Sequence, residues 1–175
     1  MDSLLTKIYR NDTNSFRDYS ANSTGRSPGI PNPKFSFIAN NPNCRPFVIG
    51  VAGGSGSGKS YLCNHIKKDI FLDDVIVLSM DSYYRDLSYL DVSEREKTNF
   101  DTPEALDDVL LISQLRQMIR GIKVHVPIYN YETHTRALNH EIVSPCKKVI
   151  IVDGIFALYW KSVRKLLDLS IYVDL

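Results

Sequence analysis

Residues 53–60 read Gly53-Gly54-Ser55-Gly56-Ser57-Gly58-Lys59-Ser60 and fit the pattern G-x-x-x-x-G-K-[ST] without a mismatch. An apolar run of strand type, Phe47-Val48-Ile49-Gly50-Val51, comes before the segment, and a helical pattern from about Lys59 to Phe71 comes after it. That order constrains the fold more than any other feature of the chain. Glycines let backbone N–H groups curl around a phosphate without Cβ clashes. The start of the following helix adds a dipole that favours anions. The pattern predicts a phosphate-binding loop built from Gly53, Gly54, Ser55, Gly56, Ser57, Gly58, Lys59, Ser60 and the adjoining Tyr61. Lys59 is expected to reach the outer phosphates of ATP, and Ser60 to ligate Mg²⁺.

The rest of the chain supports an α/β layout. Val75–Leu78, Val149–Val152 and Leu169–Val173 are continuous apolar runs rich in β-branched residues. Such runs, alternating with helices, predict a parallel sheet with helices on both faces, of the P-loop NTPase type. Asp101-Thr102-Pro103-Glu104 carries start signals for a second helix, whose apolar positions recur from Ala105 to Ile119 until Gly121 stops it. Val124, Val126 and Ile128 alternate, as in a half-buried strand. Residues 1–45 are rich in Asn, Ser, Pro and Gly and show no helical or strand period. They read as a flexible tail ahead of a core over 46–175.

Composition narrows the partners. Net charge is 21 − 20 = +1, without the basic excess that phosphate-backbone binding favours. No apolar run approaches the roughly 20 residues of a membrane span. No nucleic-acid or membrane partner is therefore expected, and self-association stays open. The cysteines, Cys44, Cys63 and Cys146, are odd in number and widely spaced. They read as reduced thiols, with the cytoplasm as the expected location.

Two acids are candidates for chemistry. Asp153 ends the apolar run Val149–Val152, where an acid can complete a Mg²⁺ site through water. Asp81 lies just past Val75–Leu78, at the strand end where open α/β sheets hold ligands. It could act as a base toward an acceptor hydroxyl, or it could cap a turn.

The segments GGSGSGKS, SMDSYY, NFDTPEALD, PIYNYETHTR and VIIVDGIFAL occur in that order. Together they resemble the uridine kinase (uridine-cytidine kinase) family from about Phe47 to Leu175. The resemblance implies transfer of phosphate from ATP to the 5′-hydroxyl of uridine or cytidine, a step of pyrimidine salvage. It implies that Asp81 is the general base, with Lys59 as its catalytic partner, and that Asp101 holds the ribose hydroxyls. Tyr129, Tyr131 and His134 would line the base pocket, with Tyr84 and Arg136 on the substrate side. By itself each has a plainer reading: Tyr129 and Tyr131 as strand aromatics, His134 as a loop residue, Phe100 as core.

The chain departs from the family pattern at Thr102 (usually His), Tyr83 (usually Phe) and Asp153 (usually Glu). The family continues past its last core strand into an arginine-rich lid, whereas this sequence stops at Asp174-Leu175. The expectation is a C-terminally incomplete core with an unpaired strand edge and weak turnover. Two other readings stand beside the main one. The first is a catalytically silent nucleotide-binding subunit. The second is a related kinase for another small hydroxyl substrate, such as phosphoribulose, pantothenate or nicotinamide riboside.

Overall fold

The computed structural model describes residues 5–10, 17–19, 45–70, 74–144 and 148–174, with backbone placement alone for 5–10, 17–19, 69 and 70. In chain order the strands are β1 (Leu5–Arg10), β2 (Arg17–Tyr19), β3 (Phe47–Gly53), β4 (Val75–Ser79), β5 (Val124–Asn130), β6 (Thr135–Val143), β7 (Val149–Asp153) and β8 (Leu169–Asp174). The α-helices are α1 (Lys59–His65), α2 (Val92–Arg95), α3 (Asp108–Ile119) and α4 (Lys161–Arg164).

Six strands form the main sheet in the order β2-β1-β8-β3-β7-β4. The four apolar runs β8, β3, β7 and β4 run parallel to one another, and β1 joins β8 antiparallel. Strand β7 shows why both faces must be covered. Ile150 and Val152 join a core cluster with Leu111, Leu115 and Met118 of α3. Val149 and Ile151 join a second cluster with Cys63 of α1. Burial of β7 on both sides is what its unbroken β-branched sequence requires. Asp168 fastens the start of β3: Val48 N–H donates to its carboxylate at 2.9 Å, its own N–H donates to Val48 O at 2.8 Å, and Arg45 pairs with its other oxygen.

The structure differs from the sequence reading in four places. The second helix does not open at Pro103. Pro103–Ala105 form a separate 3-10 turn, and Leu106 is extended (φ −97°, ψ 147°) and bridges Tyr84. Leu106 is buried, and its burial in that bridge overrides the helix signals around it. Helix α3 starts only at Asp108, capped by the Asp107 carboxylate, which accepts from Leu110 N–H at 3.1 Å. Gly121 ends it as expected, with φ 79°.

The alternation of β5 also breaks. A register irregularity between Pro127 and Tyr129 leaves Ile128 outside and turns Tyr129 inward. Strands β5 and β6 form an antiparallel hairpin of their own, apart from the main sheet.

The stretch 1–45, read as a tail without strand character, contains β1 and β2. Backbone pairing explains the difference, because β1 adds to β8 through main-chain bonds that need no side-chain period. The same pairing overturns the expectation of an unpaired edge at β8, where β1 aligns Leu5 with Asp174 through Arg10 with Leu169. Other readings on this part of the chain, including Cys44, and those on Phe71 and Cys146, lie outside the described residues. Cys63 is a buried free thiol.

Gly154 follows β7 and carries the turn Met80–Tyr83 on top of it. A Cβ at Gly154 would lie 2.6 Å from Met80 Cβ and 2.8 Å from its sulfur. Gly154→Ala should therefore push Met80 outward and cost about 1–3 kcal/mol of stability by overpacking. Urea unfolding checks this, and an unchanged midpoint would show that the contact yields freely.

Candidate active site

Three turns leave the carboxyl edge of the sheet side by side. In the parallel ladders Asp153 is level with Val51 of β3 and with Ser79 of β4. The glycine-rich loop after β3, the Met80–Tyr83 turn after β4 and Asp153-Gly154 after β7 therefore converge. Gly56 and Gly58 take positive φ (76° and 88°), so the loop needs glycine at both. Gly53 admits no side chain, since a Cβ there would sit 2.3 Å from Val173 O. Ser79 caps the next turn by accepting from Asp81 N–H at 3.3 Å.

These turns enclose a cavity of about 250 Å³. Ser55, Gly56, Lys59 and Ser60 line it from the loop. Asp81, Tyr84, Asp101 and Asp153 line it from the other elements. The Lys59 ammonium donates to Gly54 O at 2.6 Å and so closes the loop on itself. Ser60 Oγ donates to Asp153 at 3.5 Å. Two polar atoms in the loop region have no hydrogen-bond partner: Ser57 Oγ and Asp153 Oδ1. Tyr61 points away, 77% exposed.

Burial pushes the Asp81 carboxyl above the ordinary carboxylate range, against the opposing pull of Lys59. Burial raises Asp153 too; Lys59 opposes that rise and Asp81 adds to it. Two acids thus share one lysine in a partly desolvated site. Burial, followed by the charges of Asp81 and Asp101, pushes Tyr84 up to about 12.

An aromatic wall extends from Tyr84 to the hairpin. Tyr84 meets Phe100 edge-on (5.4 Å) and Tyr129 at 5.3 Å. Tyr129 meets Tyr131 at 5.4 Å. Phe100 stacks on His134 at 4.6 Å, with the rings 18° apart. Tyr129 OH and His134 Nδ1 are buried and unpartnered. The structure thus brings Asp81, Tyr84, Asp101, Tyr129, Tyr131 and His134 into one continuous region beside the loop.

Arg136 is placed differently from the expectation. Its guanidinium donates to Tyr84 O (2.8 Å), Tyr83 O (3.2 Å) and Asp107 (3.3 Å). Its N–H donates to Asp86 at 3.0 Å. It joins the hairpin to the body, and its donors are spent there. The sequence reading treated Phe100 only as core and did not single out Ile155, which lines the cavity. The stacking of Phe100 on His134 joins residues 34 positions apart and leaves no local signal.

The model of the phosphoribulokinase / uridine kinase family matches residues 48–175. The chain belongs to this family. Among its relatives, a uridine kinase of Clostridium tetani is 45% identical over 130 residues, 74% of this chain and 62% of that protein. A uridine kinase of Staphylococcus haemolyticus is 48% identical over 127 residues, 73% of this chain and 61% of that protein. The chain thus spans less than two thirds of the length of the curated relatives it matches. A solved structure described as a possible uridine kinase from Bacillus stearothermophilus shares the fold, with TM-score 0.57 and 22% identity, covering 78% of this chain and 75% of that one. A candidate fructose transport system kinase from Silicibacter aligns at TM-score 0.62 and 19% identity, over 78% and 69% of the two chains.

The raised Asp81 has a consequence for the ligand-free family member. Its carboxyl titrates above its ordinary value of 3.8 in the folded state. Ionised Asp81 therefore costs stability at pH 7, and the cost disappears as pH falls through the raised value toward 3.8. Asp81→Asn should melt higher than the wild type at pH 7, and the difference should close on acidification. Calorimetric melts across that range check it; a gap independent of pH would rule out titration as the cause.

Proposed function

We propose that the protein transfers the γ-phosphoryl group of ATP to the 5′-hydroxyl of uridine or cytidine. The observation that carries this reading is the single cavity that joins the glycine-rich loop and Lys59 to Asp81 and Asp101. Membership of the family supports a kinase reaction. The aromatic wall supports a nucleoside as the acceptor, because it offers ring faces together with two unpartnered polar atoms, Tyr129 OH and His134 Nδ1.

In this reading the loop N–H groups and Lys59 bind the phosphates, and Lys59 exchanges its bond to Gly54 O for phosphate oxygens. Asp101 accepts hydrogen bonds from the ribose hydroxyls. Asp81 accepts the 5′-hydroxyl proton as that oxygen bonds to the γ-phosphorus and the β–γ bridging bond breaks, releasing ADP. Its raised pKa makes it the stronger base for that step. Arg136 is not part of the nucleoside set, because its donors hold the hairpin.

Ser60 and Asp153 suit Mg²⁺, which favours a few hard oxygens and keeps its waters. The unpartnered Oδ1 of Asp153, next to the Ser60 hydroxyl, is the feature that fits. The ion would neutralise phosphate charge. Among the described residues no group of three or more His, Cys, Asp or Glu forms a closed cage, so the remaining ligands would come from phosphate and water. Among the same residues no helix is long and apolar enough to cross a membrane.

Lys59→Ala should weaken ATP binding by about tenfold or more, since it removes a cation from the outer phosphates. Titration calorimetry checks this, and equal affinity in the variant would remove the nucleotide site from the reading. Asp81→Asn keeps the shape and loses the base. Its kcat should fall by about 10²–10⁴-fold while nucleoside affinity holds. Steady-state assays over a panel of nucleosides and other small alcohols read both quantities. Turnover confined to a non-nucleoside alcohol would sink the substrate assignment and leave the kinase intact.

A further inference from the structure

The hairpin tip carries the only non-glycine residue with positive φ among the described residues, His134 at φ 53°. A left-handed histidine costs about 1 kcal/mol or more and persists only where its surroundings fix it. Part of that fixing is local. Asn130 Oδ1 accepts from Glu132 N–H (2.9 Å) and Thr133 N–H (3.2 Å), and the Thr133 and Thr135 hydroxyls lie 2.8 Å apart. These bonds shape the tip. They do not set how far the tip stands from Phe100.

Arg95, at the end of α2, joins the tip to the body. Its three nitrogens donate to three separate carbonyls: Nε to Leu90 O at 2.8 Å, Nη2 to Ser88 O at 3.1 Å and Nη1 to Thr133 O at 3.1 Å. Two of these acceptors belong to the loop before α2, and the third immediately precedes His134. Among the described residues no carboxylate takes part. The guanidinium fork thus ties the 88–90 loop to the hairpin tip on one side of residue 134. Phe100 meets the His134 ring itself, stacked at 4.6 Å. A lysine ammonium has donors on one nitrogen and cannot span acceptors that meet three different nitrogens.

We propose that Arg95 is a positioning residue that sets the orientation of the His134 imidazole against Phe100, and through it the fit of the nucleoside base. The second half of the statement rests on the kinase reading above; the first half does not. Arg136 acts close by, at the start of β6 opposite Tyr129: it joins that strand to the body at Tyr83, Tyr84 and Asp107, whereas Arg95 takes hold of the turn itself at Thr133 O.

The test uses Arg95→Lys and Arg95→Met in the protein without ligand, followed by kinetics. Stacking on Phe100 shields the His134 ring protons, and their NMR signals are assigned with His134→Gln. Both Arg95 variants should lose that upfield displacement while their melting temperatures stay close to that of the wild type. An unchanged His134 signal in either folded variant overturns the clamp, whatever the protein phosphorylates. In assays the nucleoside KM should rise about tenfold, the equivalent of 1.4 kcal/mol, with the ATP KM unchanged. A double-mutant cycle with His134→Ala should be strongly non-additive, since Arg95 acts through that ring. Additive effects, or equal rises in both KM values, overturn the positioning role. A protein that turns over no nucleoside defeats the nucleoside assignment instead, and leaves the NMR result to decide the clamp.

Discussion

Strand β7 lies between β3 and β4, and its last residue, Asp153, is level with Ser79, the last residue of β4, and with Val51, two residues before the end of β3. The ladder that fixes this register is built by main-chain bonds between buried β-branched strands, and a slip of one residue would reverse every side chain on β7. The glycine-rich loop, the Asp81 turn and the aromatic wall all take their positions from it. The register also creates an electrostatic problem. Asp81 and Asp153 are brought together under partial burial with Lys59 between them. A resting site of this kind is strained in charge; under the proposed reaction, a phosphate at the lysine and a cation at the acids would relieve that strain.

The hairpin of β5 and β6 follows a different logic. It adds nothing to the main sheet and faces water over most of β6. It rests on the body through Tyr129, Val124 and Val126 in the core and through arginine-to-carbonyl bonds. Apolar contacts are tolerant of small shifts, whereas a guanidinium bound to fixed carbonyls is directional. The sheet presents the glycine-rich loop, and the directional joints present the aromatic wall.

The local parts of this design were legible in the sequence. The glycine-rich loop is eight consecutive residues whose conformation they dictate themselves, and Asp153 and Asp81 announce themselves by ending apolar runs. Non-local parts were not legible. Thr102-Pro103-Glu104 carries genuine helix-start chemistry, but Leu106 is claimed by a bridge to Tyr84, which no spacing reveals. Ile128 fits the alternation and is displaced by an irregularity that only the facing strand defines. The resemblance sets Arg136 on the substrate side, and nothing in its local sequence points to its pairing with Asp107, 29 positions away. Strand β1 has no periodic signal because its partner supplies the order, residue against residue, from the far end of the chain.

Tyr83 stands where the resembled family usually has phenylalanine, and its hydroxyl has a partner in this chain. Its ring is fully buried, and its hydroxyl donates to Gln114 Oε1 at 2.8 Å. The Gln114 amide in turn donates to His125 O at 2.8 Å. The turn after β4, helix α3 and strand β5 are therefore threaded on one line of donors running in a single direction. Removing the hydroxyl alone would strand the oxygen of a buried glutamine, at a cost of about 1–3 kcal/mol, and changing the glutamine alone would strand the phenol. The two positions are therefore coupled, and the cost of changing both to apolar residues should fall short of the sum of the two single costs.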